Sequence, residues 1–310
     1  MIRKVKKSMK KLFAAAALLV SMLLCSCGGG AGSIGTGSAE PTTPAPETEP
    51  PKAGDFAGAD AEYINKDTLN YYCVTNEAYI PEGKKVTGIV LEFPGLGGGS
   101  CLGGSMDNMI AYNTPFAREC AAKGIVLAYT FPGPWSWMNT GAVRMTDLMV
   151  DAFMDRYGWQ NEDDFSLVAI GGSMGGSGAL IYAADSRHTV DACVAHCPCY
   201  DVKECFSTKD VFPRAFVSAI SAYGMPISEA LETISPAHRL KDLPKIPYIV
   251  TGDEFDDCFP LKGTEKFVSD MKNAGLDVTY MFLKGKSHGE ISDADRAAVN
   301  EFIFRMGGGK

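Results

Sequence analysis

Phe165-Ser166-Leu167-Val168-Ala169-Ile170-Gly171-Gly172-Ser173-Met174-Gly175-Gly176-Ser177-Gly178-Ala179-Leu180-Ile181-Tyr182-Ala183-Ala184 passes from an apolar run, through a glycine turn, into a helix-compatible segment. The turn reads G-x-S-x-G and is followed by one more glycine. A serine at so sharp a strand-to-helix turn is forced into strained backbone geometry, and the small residues around it relieve the crowding. Its Oγ then stands clear of the sheet at the positive end of the next helix. Ser173 is therefore the candidate nucleophile.

Working outward, short apolar runs alternate with amphipathic ones. Strands are expected at 70–75, 86–93, 125–131, 167–170, 192–196, 247–251 and 278–283. Helical patterns fall near 106–123, 143–157, 176–184, 263–274 and 293–304. This alternation predicts an α/β fold, with a mostly parallel sheet covered by helices on both faces. Ligands bind such sheets at the carboxyl ends of the strands. A serine nucleophile needs a base to take its proton and an acid to orient that base. Of the four histidines, His188 lies in a polar loop, His196 in an apolar strand and His238 ahead of a strand. His288 sits in Gly285-Lys286-Ser287-His288-Gly289, between the last strand and the last helix, and is the candidate base.

The acid belongs after the penultimate strand, where Thr251-Gly252-Asp253-Glu254-Phe255-Asp256-Asp257-Cys258-Phe259-Pro260 offers four carboxylates in five residues. Ser173, this acidic loop and His288, in that order, resemble the α/β-hydrolase superfamily. In that superfamily a proline often follows the acid by four residues. Asp256 has that distance to Pro260, although it lies one residue further from Gly252 than usual. The resemblance thus favours Asp256, with Asp257 and Asp253 as alternatives. It also implies an oxyanion hole: one N–H from Met174, the other from Phe93-Pro94-Gly95-Leu96-Gly97-Gly98-Gly99. That loop is similar to the His-Gly-Gly-Gly type, with Pro94 in place of the histidine. Leu96 is the expected second donor and Gly97 the alternative.

The elbow is similar to those of secreted carbohydrate esterases and of prolyl-oligopeptidase-type hydrolases. The expected activity is hydrolysis of carboxylic esters, of carbohydrate or other extracellular origin, with a serine peptidase of the same fold as the alternative. A catalytically silent binding protein on the hydrolase scaffold is a third reading. The segment 200–234, between two strands, reads as a small helical cap. Trp135 and Trp137, in a loop at the same sheet edge, are candidates for stacking on a sugar or aromatic acyl group. The mechanism calls for no metal and no other cofactor.

The N-terminus is read separately. Arg3, Lys4, Lys6, Lys7, Lys10 and Lys11 precede an apolar run from Leu12 to Leu24, too short for a comfortable bilayer span and suited to a signal peptide. Leu24-Cys25-Ser26-Cys27-Gly28 resembles a bacterial lipoprotein box. Residues 1–26 are then a lipoprotein signal, Cys27 carries the lipid, and the protein is anchored on the outer face of the membrane. Cys25 as the modified residue, or an ordinary secretory signal, are the alternatives. Residues 27–54 are rich in Gly, Ser, Thr, Pro and Glu, cannot bury a core, and read as a tether. The catalytic domain is expected over 55–310, without the propeller of an oligopeptidase ahead of it. The formal charge of −8 includes the six positive residues of the signal, so the remainder is more acidic still. That argues against nucleic acid as a partner. Eight further cysteines permit disulfides in an oxidising compartment, and the Cys193–Cys205 cluster matches no common zinc spacing.

Overall fold

In the computed structural model of the protein, residues 60–97 and 112–309 are described. The expected signal, tether, Cys27, Cys101, Gly98, Gly99 and the stretch 106–111 lie outside them. Seven strands form one sheet: β1 (Cys73–Thr75), β2 (Gly88–Phe93), β3 (Ile125–Thr130), β4 (Ser166–Gly172), β5 (Ala192–His196), β6 (Pro247–Phe255) and β7 (Asp277–Ser287). Their order is β1-β3-β2-β4-β5-β6-β7. Only β1 runs antiparallel, against β3; all other pairs are parallel. The helices are α1 (Pro115–Lys123), α2 (Thr140–Tyr157), α3 (Met174–Asp185), α4 (Phe212–Ile220), α5 (Ile227–Thr233), α6 (Leu261–Asn273) and α7 (Asp293–Gly307). This is the α/β-hydrolase architecture that the residues predict.

The central strands are continuous apolar runs because both faces are covered. Ile89, Leu91, Phe93, Leu167, Ala169, Cys193 and Ala195 face one core, shared with α2, α3 and α6. Their neighbours Val90, Val168, Ile170, Ala192 and Val194 face the other, shared with α1 and α7. The period-two alternation of strand side chains thus feeds two cores, not a core and a solvent face.

The chain leaves β2 for β3 on one side, then crosses back to place β4 on the other. The loops after β2 and β4 therefore diverge, opening a crevice at the carboxyl edge of the sheet. The Gly95–Gly97 loop and Ser173 both lie there.

Local differences from the predicted elements have local causes. The strand expected over 70–75 shortens to Cys73–Thr75, because Leu69–Tyr71 forms a 3-10 turn with Tyr71 exposed. α1 starts at Pro115, where the Thr114 side chain accepts from the Ala117 N–H, and stops at Gly124 with φ 80°. β6 and β7 run on to Phe255 and Ser287, past an irregularity in their pairing between Asp253 and Phe255. That extension delivers Asp256 and His288 at neighbouring strand ends. The seven cysteines among the described residues are all free, and all but Cys258 are buried. Burial pushes the Cys73 and Cys120 thiols up to about 12.

Candidate active site

The turn after β4 has little space for side chains. A Cβ on Gly171 would lie 2.3 Å from the Gly175 carbonyl oxygen, and one on Gly175 only 2.1 Å from the Phe93 carbonyl oxygen. A Cβ on Gly176 would meet the His196 carbonyl oxygen at 2.9 Å. The obstacles are backbone atoms of β2, β5 and the turn itself, which cannot swing aside. Gly175→Ala is accordingly expected to cost more than about 2 kcal/mol of stability, read as a lowered urea midpoint at unchanged slope. A wild-type midpoint would mean that the turn is looser than its contacts imply.

Between these glycines Ser173 holds φ 58° and ψ −123°, a left-handed conformation that non-glycine residues avoid. Its N–H donates to the His196 carbonyl at 2.9 Å, which ties the strained residue to β5. The side chain makes no capping bond to α3, so the Oγ is left to the crevice. There His288 Nε2 lies 2.9 Å from Ser173 Oγ. On the other side of the ring, His288 Nδ1 lies 2.9 Å from Asp256 Oδ2. The Phe259 ring stands edge-on to the imidazole, with centroids 5.1 Å apart, and fixes its plane.

The four acids of the loop separate cleanly. The Asp256 carboxylate is only 3% exposed, and its Oδ1 accepts the N–H groups of Cys258 and Phe259, each at 2.8 Å. With one oxygen fixed by the backbone, the other is presented to His288. Asp257 faces solvent and pairs with Lys209 at 2.5 Å, a hydrogen bond that holds its carboxyl below the usual range. Asp253 lies within β6, 1% exposed, and its Oδ2 accepts the Gly289 N–H at 2.8 Å. Burial pushes its carboxyl above the usual range. Glu254 Oε2 accepts from the Gly285 N–H at 2.6 Å. Asp253 and Glu254 thus brace the loop that carries His288 but do not bond its ring.

Ser173 and His288 open on a cavity of about 570 Å³, with Asp256 buried behind the ring. Its wall includes Leu96 from the loop after β2, Cys197 after β5, and Val211 and Phe212 from the 200–234 insertion. The insertion holds α4 and α5 and reaches the cavity at the start of α4. Leu96 borders Ser173, and a Cβ on Gly95 would come within 4.0 Å of the Ser173 Cβ. Met174, the first residue of α3, follows directly and is buried.

The tryptophan pair is corrected. Neither indole lines the cavity that holds Ser173. Trp137 is 1% exposed and packs on Phe216 at 4.4 Å and on Phe212 at 6.2 Å between centroids. Trp135 lies beneath the Arg214 guanidinium at 5.2 Å. Both carry φ near +48°, and the loop packs against α4 through Phe212, Arg214 and Phe216.

Two residues of the wall, His196 and Cys197, are weighed in the sequence but not assigned to the site. His196 ends β5, its Nδ1 lies 2.7 Å from Thr251 Oγ1, and its ring rests over Gly172, where a Cβ would approach Cδ2 to 3.4 Å. Burial lowers its proton affinity below that of a free imidazole. Cys197 follows with φ 38°. The strand expected at 192–196 is the one observed, but an apolar strand signal does not tell that its last residue and the next one face the cavity.

A sequence model of the prolyl oligopeptidase family matches residues 135–305, more than half of the chain. No curated protein sequence matches significantly. Among solved structures, the acylaminoacyl peptidase of Pyrococcus horikoshii is similar with a TM-score of 0.57 at 16% identity, over 74% of this chain and 38% of that one. Porphyromonas gingivalis dipeptidyl peptidase 4 gives 0.55 at 15%, over 72% and 31%. Esterase B of Lactobacillus rhamnosis gives 0.55 at 12%, over 74% and 78%. The chain therefore spans well under half the length of the two peptidases. At such identities these likenesses concern the fold.

Proposed function

We propose, for a chain that belongs to the prolyl oligopeptidase family of serine hydrolases, that Ser173, His288 and Asp256 form its catalytic triad and cleave carboxylic esters. The carrying observation is the continuous chain from Ser173 Oγ through His288 to Asp256 Oδ2, with both links at 2.9 Å. His288 Nε2 takes the Oγ proton as the oxygen attacks the acyl carbon, then returns it to the leaving alcohol; water repeats the cycle on the acyl-enzyme. Asp256 keeps the ring proton on Nδ1 and so keeps Nε2 free to accept. The backbone N–H groups of Leu96 and Met174 receive the oxyanion, Met174 at the positive end of α3.

The substrate reading rests on the wall. Leu96, Val211 and Phe212 are apolar, and Lys209 is engaged by Asp257. Such a wall suits a compact apolar acyl group better than a charged chain. The family match favours a second reading, a serine peptidase, in which His288 protonates a leaving amine instead. A panel of short-chain nitrophenyl and sugar esters against dipeptide and proline-containing amides separates the two. Turnover of the esters with intact amides is expected; amides cleaved at rates comparable to esters would transfer the assignment to the peptidase.

We further propose that Cys27 is lipidated and holds the domain on the outer face of the membrane. Labelled fatty acid should mark the full chain and not Cys27→Ser. Labelling that persists in Cys27→Ser and vanishes in Cys25→Ser would move the anchor.

A further inference from the structure

Two members of the proposed triad, Asp256 and His288, converge with two groups the hydrolytic mechanism does not use, Cys197 and Asp253. Cys197 Sγ, one carboxylate oxygen each of Asp253 and Asp256, and a ring nitrogen of His288 all lie within 4.8 Å of one another. They come from the ends of three adjacent strands: Cys197 from β5, Asp253 and Asp256 from β6, His288 from β7. The sheet itself supplies the convergence. Asp253 is 1% exposed, and its Oδ1 is buried without a hydrogen-bond partner. A buried, unpartnered carboxylate oxygen is costly unless something positive or protic meets it.

We infer that these four side chains form a binding site for a zinc-like divalent cation, and that its occupation shuts the active site. One thiolate, one imidazole and two carboxylates are a donor set that suits zinc and its tetrahedral preference. The spacing is close to sufficient. A regular tetrahedron with edges of 4.8 Å has its centre about 2.9 Å from each corner, whereas zinc bonds run roughly 2.0–2.3 Å. Since 4.8 Å is the upper limit of the separations, no donor need move inward by more than about 1 Å, within reach of side-chain rotation. The cation has an entry path, since Cys197 and His288 both line the cavity that opens at Ser173.

The chemistry balances without a redox partner. Zinc enters as the dication, the Cys197 thiol releases one proton to solvent, and a Zn–S bond forms. Two carboxylates and a thiolate then surround the ion with the neutral imidazole. Either mode of histidine ligation removes the base. If Nε2 binds the metal, its lone pair is no longer available to Ser173. If Nδ1 binds, the ring proton resides on Nε2, which then cannot accept from Oγ. The inhibitory consequence rests on the hydrolase reading above, whereas the binding does not.

The test uses the full chain with Ser173→Ala, so that binding is read without catalysis. Cobalt(II) titration should give one equivalent with a thiolate-to-cobalt charge-transfer band. Zinc affinity follows from competition with a chromophoric chelator. Cys197→Ser should abolish the cobalt band, and Cys197→Ser and Asp253→Asn should each weaken zinc by about 10-fold or more. Cys258→Ser and Asp257→Asn should stay within about threefold. In the Ser173 protein, zinc should inhibit, and Cys197→Ser should resist it relative to its own zinc-free rate. Zinc bound equally by Cys197→Ser and its parent, or lost with Cys258, overturns the site. Tight binding through Cys197 in a protein that hydrolyses nothing would uphold the site and defeat only the hydrolase reading. Thermal denaturation of Cys197→Ser and Asp253→Asn shows that each compared protein is folded.

Discussion

Ser173→Ala is expected to lower kcat by about 10⁴- to 10⁶-fold on any ester the wild type cleaves, with the fold intact. The size follows from the role assigned to Oγ. Without it there is no covalent intermediate, and His288 has no proton to take from a nucleophile at 2.9 Å. What remains is oxyanion stabilisation and binding, which still accelerate the attack of water. Stability should change little. The Ser173 side chain caps nothing, whereas its backbone N–H, which alanine keeps, holds the bond to His196. The strained φ of 58° is equally open to alanine. A variant that is folded and within tenfold of wild type would remove Ser173 from the chemistry.

The second large effect separates two adjacent carboxylates. Asp256→Asn should lower kcat by about 10³- to 10⁴-fold, whereas Asp257→Asn should leave it within a few-fold. An asparagine at 256 still accepts the Cys258 and Phe259 N–H groups through its oxygen, so the loop keeps its form. Its amide nitrogen then faces His288 Nδ1, and two donors cannot share that bond. The ring responds by placing its proton on Nε2, facing Ser173 Oγ, the wrong tautomer for a base. Asp257 only loses an exposed pairing with Lys209, which solvent screens. The reverse pattern, with Asp257→Asn inactive and Asp256→Asn active, would show that the observed bond to His288 is not the working one.

The elements that positioned the site were legible because their physics is local. The Gly171–Gly176 turn declares itself by side-chain size, and backbone contacts with Gly175, Phe93 and His196 account for Gly171, Gly175 and Gly176 in turn. His288 was legible because it follows the last strand in a glycine-bearing loop. Among the acids, chain order narrowed the choice to one loop but could not separate Asp253, Asp256 and Asp257. That depends on where β6 stops, and its irregular pairing past Asp253 is a property of the sheet. The tryptophans misled for a similar reason. Position at the correct sheet edge says nothing about whether an indole faces the cavity, and both indoles pack against residues of α4. His196 and Cys197 stand at and just past the end of an apolar strand, and the apolar pattern does not tell that this end forms part of the cavity wall.

The most direct test of the central claim is labelling of the folded full-length protein with a fluorophosphonate, followed by mass spectrometry of the modified peptide. Only an oxygen activated by its base reacts quickly. Stoichiometric modification of Ser173, lost on unfolding and in His288→Ala, is the predicted result. No modification of Ser173 in folded protein, or the same rate without His288, would contradict an activated nucleophile at the Gly171–Gly176 turn.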